Sequence, residues 1–378
     1  VLLVLFKDTS GPYHDKTKNF LESYDQVCVK YSSLDKSSKI AEQISAQFQV
    51  ENEDLIISQS FSWISDCVSS WRLGKKCFHV EIIHQDSEGL YSHARRVVPT
   101  CDLFLAVSNR IAEKLKRLVP GIGKYHIPVL VCPGGVVIKP LVPRPPLDVM
   151  RLCYVGRLDP LDKRIFDLVD LTEALLLCKL RFRLTVIGGG GYYGELESRF
   201  RSIRAESVVT LTGNLPRQEV LTQLGEHHIF VLPSAVEGFS LALCEAMSQG
   251  LVPVVTRVSG TEDIIIDGQN GFLVGVGSIE SMKARICELA ANHEHYHSMS
   301  HHARETAVES MQMRPRVDSM KRAIEELSAS PNSVHPSFRD QAISKRVLDW
   351  SIFPNGFGRA ARKVWRACRE KPLDIGPE

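Results

Sequence analysis

The stretch Val231-Leu232-Pro233-Ser234-Ala235-Val236-Glu237-Gly238-Phe239-Ser240-Leu241-Ala242-Leu243-Cys244-Glu245-Ala246-Met247 reads as one structural unit. The apolar run Ile229–Leu232 is short enough for a buried strand, and Pro233, which has no N–H to give a sheet ladder, ends it. A loop with Glu237 and Gly238 follows. Ser240 then stands where a helix N-cap belongs, ahead of apolar residues at helical spacing. A strand, a loop and a helix in this order form half of a crossover unit, and crossover units build parallel sheets with helices on their faces.

Working outward, similar units repeat. The runs Leu152–Val155, Arg183–Ile187, Val208–Thr212 and Val252–Val255 are apolar enough to be buried on both sheet faces. Before them, strands are expected at Val1–Phe6, Gln26–Tyr31, Leu55–Ser58, Phe78–Ile83, Leu103–Val107 and Val129–Cys132. Ser37–Phe48 and Asn109–Leu118 read as helices between these strands, the latter with Ser108 as its cap. Pro140–Pro146 interrupts the alternation, since its prolines continue neither helix nor central strand. The expected organisation is α/β: two Rossmann-like doubly wound domains, 1–142 and 143–330, with a tail at 331–378.

Bulk properties agree with a folded, two-domain chain. It has 378 residues, 44% hydrophobic and 24% charged, with a formal charge of +2, so no strong overall field favours nucleic acid. The 10 cysteines form no CxxC pair. Cys28, Cys77, Cys101, Cys153, Cys178 and Cys244 sit in apolar runs, which suits buried thiols in a reducing cytosol and argues against a zinc site. Apolar runs are far shorter than the roughly 20 residues of a membrane span.

Open parallel sheets bind ligands beyond the carboxyl ends of their strands, so candidate residues are sought there. Gly156-Arg157-Leu158-Asp159, followed by Asp162-Lys163-Arg164, offers a planar fork and a mobile point charge suited to a diphosphate; the alternative is a solvated charged loop. Gly188-Gly189-Gly190-Gly191 permits close backbone approach of a ligand or forms a simple turn. Tyr193 replaces the third glycine of a dinucleotide fingerprint, so a nicotinamide cofactor gains little support. The amides opening the helix after Ser240 would face a phosphate. Glu245 lies near enough to accept hydrogen bonds from ribose hydroxyls, and Glu237 is placed to reach a sugar. Glu245, among Leu243, Cys244, Ala246 and Met247, also calls for a partner.

The segment EGFSLALCEAM resembles the E-x7-E element of retaining GT-B glycosyltransferases, particularly glycosyltransferase family 4. Cys132-Pro133-Gly134-Gly135-Val136, Tyr154-Val155-Gly156-Arg157-Leu158, Thr256 to Gly260, and Asp267 to Val274 resemble further family segments in order, the last a closing hairpin. The resemblance implies two domains facing a cleft and transfer, with retention, of a sugar from a nucleotide-diphosphate-sugar donor to a glycan, lipid-linked or small acceptor. It implies no metal and no cofactor beyond the donor. Arg157 and Lys163 would bind the diphosphate, Glu245 the ribose, and Glu237 with Gly238, Phe239, Ser240 and Leu241 the transferred sugar; Gly188 belongs to the same donor side. Ile82-Ile83-His84-Gln85-Asp86 resembles the segment whose histidine faces the reacting sugar, so His84 and Glu237 are the catalytic candidates. Gly11, in Asp8-Thr9-Ser10-Gly11-Pro12-Tyr13-His14, would also bind the donor by this resemblance, although it matches in kind only one glycine of the family's paired-glycine loop.

Two other functions compete with transfer: a GT-B sugar-nucleotide epimerase, acting on donor alone, and a non-catalytic partner subunit. The tail carries Lys345, Arg346, Arg359, Arg362, Lys363, Arg366 and Arg369 among Trp350, Phe353, Phe357 and Trp365. Such a segment (339–369) either lies on an anionic membrane surface or packs back on the body, the second being favoured. The chain is expected to be cytoplasmic, with any membrane contact peripheral and at the inner face.

Overall fold

The computed structural model describes strand segments 3–8, 26–31 and 55–59 and residues 78–98, 101–141 and 143–328. The expected helix Ser37–Phe48, Gly11 and the basic tail lie outside the described residues.

In the first half, β1 (Leu3–Asp8) pairs in parallel with β2 (Gln26–Tyr31). A second parallel sheet runs in the order β3 (Leu55–Gln59), β4 (Phe78–Ile83), β5 (Leu103–Ala106), β6 (Val129–Val131). Helices α1 (Glu88–Val97) and α2 (Asn109–Leu118) are the crossovers after β4 and β5, and α3 (Pro120–Lys124) leads back to β6. Ser108 caps α2, its Oγ accepting from Ile111 N at 3.4 Å. Ile83, Phe104 and Ala106 pack with Tyr91 and Ala94 of α1 and Ile111 and Leu115 of α2 to make this core.

The second half forms a six-stranded parallel sheet, β12-β11-β10-β7-β8-β9. Its strands are β7 (Met150–Val155), β8 (Phe182–Ile187), β9 (Val209–Gly213), β10 (Ile229–Leu232), β11 (Val252–Thr256) and β12 (Phe272–Val274). The chain builds outward from β7 through β8 to β9, then returns and builds outward from β10, so the strand order reverses between β7 and β10. That reversal opens a crevice above their carboxyl ends, where this architecture holds ligands. Strands β10 and β11 are buried throughout, as continuous apolar runs require, whereas β9 at the sheet edge is mostly half-buried. The last strand corrects one expectation: β12 joins β11 in parallel rather than closing a hairpin, and only an isolated bridge between Asp267 and Gly271 tightens the turn before it.

Helices α4 (Asp167–Leu177), α5 (Tyr193–Ser202), α6 (Arg217–Gly225), α7 (Leu241–Ser248), α8 (Ile279–Ala291) and α9 (His293–Ser310) complete the domain. Residues 243–248 of α7 are all buried, which its nearly all-apolar sequence demands. Arg144, from the Pro-rich linker, donates to the carbonyls of Gln249 and Gly250 just past the helix, the latter at 3.0 Å. Arg304 of α9 donates to Ser248 O. Two guanidinium groups thus satisfy carbonyls at the negative end of the helix dipole while its positive end points toward the crevice.

The final described helix, α10 (Met313–Ser328), crosses to the first lobe. Ile324 packs with Val80, Leu103 and Leu105, burying the face of the β3–β6 sheet that α1 and α2 leave open. Val136 N donates to Met311 O (2.8 Å), Met313 N donates to Val136 O (3.1 Å), and Arg316 donates to Gly134 O. By packing, then, α10 belongs with the first lobe although its sequence falls within the 143–330 division. A second departure is Cys178, read as buried from its apolar neighbours; it lies exposed beyond the C-terminal end of α4, while Cys101, Cys153 and Cys244 are buried. Among the described residues no helix is long and apolar enough to cross a membrane.

Candidate active site

The loops leaving β7 and β10 are joined across the crevice. After β7, Tyr154 donates to Arg157 O (2.8 Å), and Asp159 Oδ1 accepts from Leu161 N (2.9 Å) and Asp162 N (2.8 Å). This Asx-type turn folds the loop back. Asp162 O then accepts from Ala235 N (2.8 Å) and Val236 N (3.2 Å) in the β10 loop. The result sets Lys163 Nζ 2.6 Å from Glu237 Oε1, with Ser234 Oγ donating to the same oxygen at 2.7 Å. The pair is sheltered, the lysine 16% and the glutamate 7% exposed.

Arg157 is different in kind. Its side chain is 66% exposed and held only loosely, 3.4 Å from Asp162 and 3.8 Å from Asp159. Such long, screened contacts contribute little stability, so the guanidinium is free to turn toward an anion.

Ser240 Oγ accepts from Leu243 N at 3.2 Å and caps α7. Capping ties down one of the orphan amides and leaves the others for an anion. Phe239 is half-buried beneath the Arg316 guanidinium, 5.3 Å from its ring centre, while Leu241 is exposed.

The first lobe meets this loop directly. A Cβ on Gly238 would lie 1.8 Å from His84 O, so only glycine admits the approach. Asp86 N donates to Glu237 O at 3.4 Å, and Gln85 Nε2 donates to Asp162 Oδ2 at 3.2 Å. Asp86 is itself clamped by Tyr91 and by Lys114, whose Nζ lies 2.8 Å from both carboxylate oxygens. The His84 side chain stays solvent-exposed at the lip. Desolvation by its surroundings lowers the imidazole pKa below its ordinary 6.5, more than the charge of Glu81 raises it, so the ring is neutral at pH 7. Further round the interface, Ser108 Oγ and Ser259 Oγ share a hydrogen bond at 2.8 Å, and Asn109 N donates to Asp263 at 2.7 Å.

Glu245 has the partner its apolar setting demands. Arg217 Nε and Nη2 lie 3.0 Å and 2.8 Å from Oε1. Gly188 serves backbone packing: at φ +149°, its missing Cβ would lie 1.8 Å from Gly156 O, so the loops after β7 and β8 touch there.

The structure therefore gathers Arg157, Lys163, Glu237, Gly238, Phe239 and Ser240 at the strand reversal, brings the His84 backbone against them, and sets Glu245 one turn into α7. Sequence reasoning missed Ser234 and Arg217. Nothing local marks Ser234. Arg217 had a signal: it opens a helix, where a cation opposes the dipole, and a broken local rule of that kind often marks a site. The grouping suited to a metal among the described residues is His301, His302 and Glu305, on the exposed surface of α9 rather than at the strand ends.

Residues 143–306 match the family described as glycosyl transferases group 1. The matched segment runs from the linker through most of α9 and includes Arg157, Lys163, Glu237, Ser240 and Glu245. Among curated relatives, the putative colanic acid biosynthesis glycosyltransferase WcaL of Salmonella typhimurium is 29% identical over 214 residues, covering 54% of this chain and 52% of WcaL. The lipopolysaccharide 1,6-galactosyltransferase of the same organism is 32% identical over 185 residues, covering 47% and 50%. The chain spans about half the length of these curated relatives. Among solved structures, sucrose-phosphate synthase from Thermosynechococcus elongatus superposes with a TM-score of 0.71 at 18% identity, covering 86% of this chain and 89% of that one. Anabaena HepE in complex with UDP and glucose superposes at 0.68 and 14% identity, covering 86% and 99%. The fold is GT-B, two Rossmann-like lobes, as the sequence resemblance implies.

Proposed function

We propose that the chain is a retaining glycosyltransferase that moves a hexose-type sugar from a nucleotide-diphosphate-sugar to a glycan, lipid-linked or small acceptor. The observation that carries this reading is the convergence of Arg157, Lys163, Glu237 and the capped start of α7 on the crevice between β7 and β10. Support comes from the group 1 match, from relatives named for polysaccharide and lipopolysaccharide synthesis, and from the UDP and glucose held by the HepE structure.

In this reading Arg157, Lys163 and the α7 amides receive the diphosphate and stabilise the charge it gains on leaving, which gives the leaving group its neutralisation without a metal. Glu245 accepts from the ribose hydroxyls. Glu237, with Gly238, Phe239, Ser240 and Leu241, holds the sugar. The bond from the anomeric carbon to the diphosphate oxygen breaks, the acceptor oxygen bonds to the same face, and its proton passes to the departing phosphate. Neutral His84 stands at the acceptor side as a hydrogen-bonding group for the reacting sugar.

Incubation with UDP-, GDP- and ADP-hexoses and a panel of glycan and lipid acceptors tests this. Expected are acceptor-dependent release of nucleoside diphosphate and, by proton NMR, a product with the donor's anomeric configuration. Isomerised or hydrolysed donor formed at full rate without acceptor would contradict the proposal, as would an inverted product.

A further inference from the structure

We propose that Arg217 is a positioning residue for nucleotide recognition: its fork on Glu245 holds that carboxylate aimed so that it selects ribonucleotide over deoxyribonucleotide donors. The inference rests on the donor-site reading above.

Three features carry it. First, both guanidinium nitrogens fall on a single oxygen, Oε1, at 3.0 Å and 2.8 Å. Among the described residues Oε2 takes part in no hydrogen bond, so half of the carboxylate's accepting capacity is left over in a defined direction. Second, Glu245 sits on a helix whose neighbouring side chains Leu243, Cys244, Ala246 and Met247 are buried and apolar; its own carbonyl is served by Ser248, but its carboxylate by Arg217. Without the guanidinium the sheltered carboxylate would lose the partner that fixes its direction. Third, Arg217 itself is 59% exposed and opens α6 against the helix dipole. The cation is thus set against its own helix but beside a carboxylate only 12% exposed, so its contact with Glu245 accounts for its place.

A site built to hydrogen-bond a hydroxyl rejects the analogue lacking it, because its acceptor is then left unpaired. Arg217 makes that acceptor rigid; the hydroxyl it reads is on the ribose. Lysine at this position keeps the charge but loses the fork.

The test is calorimetric titration of the full chain with UDP, ADP and GDP, each beside its 2′-deoxy counterpart, for wild type, Arg217→Met and Arg217→Lys. The wild type is expected to prefer the ribonucleotide it binds by tenfold or more. Arg217→Met is expected to lower that preference below threefold, mainly through weaker ribonucleotide binding, with Arg217→Lys between the two and both variants still folded by their cooperative melting. Unchanged preference in both variants, or equal weakening toward ribo and deoxyribo forms, overturns the proposal and leaves the donor site standing. Failure of the wild type to bind any of the six nucleotides overturns the donor-site reading and this inference with it.

Discussion

Lys163 Nζ and Glu237 Oε1 stand 2.6 Å apart across the crevice where the strand order reverses, one on the loop after β7 and the other on the loop after β10. The contact joins the group assigned to the diphosphate with the group assigned to the sugar. Each charge neutralises the other within the crevice.

Lys163→Ala therefore removes a phosphate ligand and strands a sheltered carboxylate. Turnover at saturating donor should fall about a hundredfold, as loss of one preorganised charge commonly produces. Chemical denaturation should show a stability loss of about 1–3 kcal/mol, with Ser234 left as the remaining partner of Glu237 Oε1. Turnover within threefold of wild type would remove Lys163 from the donor site.

Gly238→Ala tests lobe contact separately from donor binding. The new Cβ would overlap His84 O, so the lobes must part by more than a side-chain adjustment. The expected result is a drop in kcat/KM for transfer of tenfold or more, with nucleoside diphosphate affinity changed by less than about threefold. A variant of wild-type efficiency would show that the approach of His84 to the β10 loop is immaterial to catalysis.

Ser240→Ala loosens the start of α7, where the capping bond to Leu243 N is lost. Stability should fall by about 1 kcal/mol, read as a shift of the denaturant midpoint. A substitution to aspartate, which also caps, should recover the stability while placing a negative charge where the phosphate would lie, so nucleotide affinity should drop in that variant alone.

His228 gives the fold a pH dependence independent of the site. Its Nδ1 accepts from Arg151 N (3.0 Å) and its Nε2 donates to Pro145 O (2.9 Å), so the buried ring is neutral. Desolvation lowers its pKa from the ordinary 6.5 to about 4, with Arg144 and Arg151 adding to the effect and the bond to Pro145 opposing it. Between pH 6.5 and 4 the folded chain binds fewer protons here than the unfolded one. Stability present above pH 6.5 is accordingly lost as pH falls through this window, by roughly 3 kcal/mol in all. Melting curves of wild type and His228→Gln at pH 7.5 and 4.5 should differ in slope, the variant being flatter; parallel slopes would show that another group dominates.

The strands were the most legible part of the chain. Gln26–Tyr31, Phe78–Ile83 and Ile229–Leu232 match their expected limits, and Asn109–Leu118 starts at its expected cap, because continuous apolar runs and a serine before a helical period are local signals. What depends on distant pairing was not readable. The docking of α10 on the first lobe, the parallel partner of β12 and the exposure of Cys178 are set by which face meets which neighbour, and no local period records that. At the site, the two glutamates and two cations could be picked out by residue type and spacing. The capture of Glu245 by Arg217, 28 positions away, required the structure.

The central claim is that the crevice between β7 and β10 holds a nucleoside diphosphate through Arg157 and its neighbours, and calorimetric titration of UDP, ADP and GDP into wild type and Arg157→Ala tests it most directly. The expected result is saturable binding of at least one of the three at one site per chain, weakened tenfold or more in the variant. Binding of equal strength in Arg157→Ala, or none in the wild type, would contradict it.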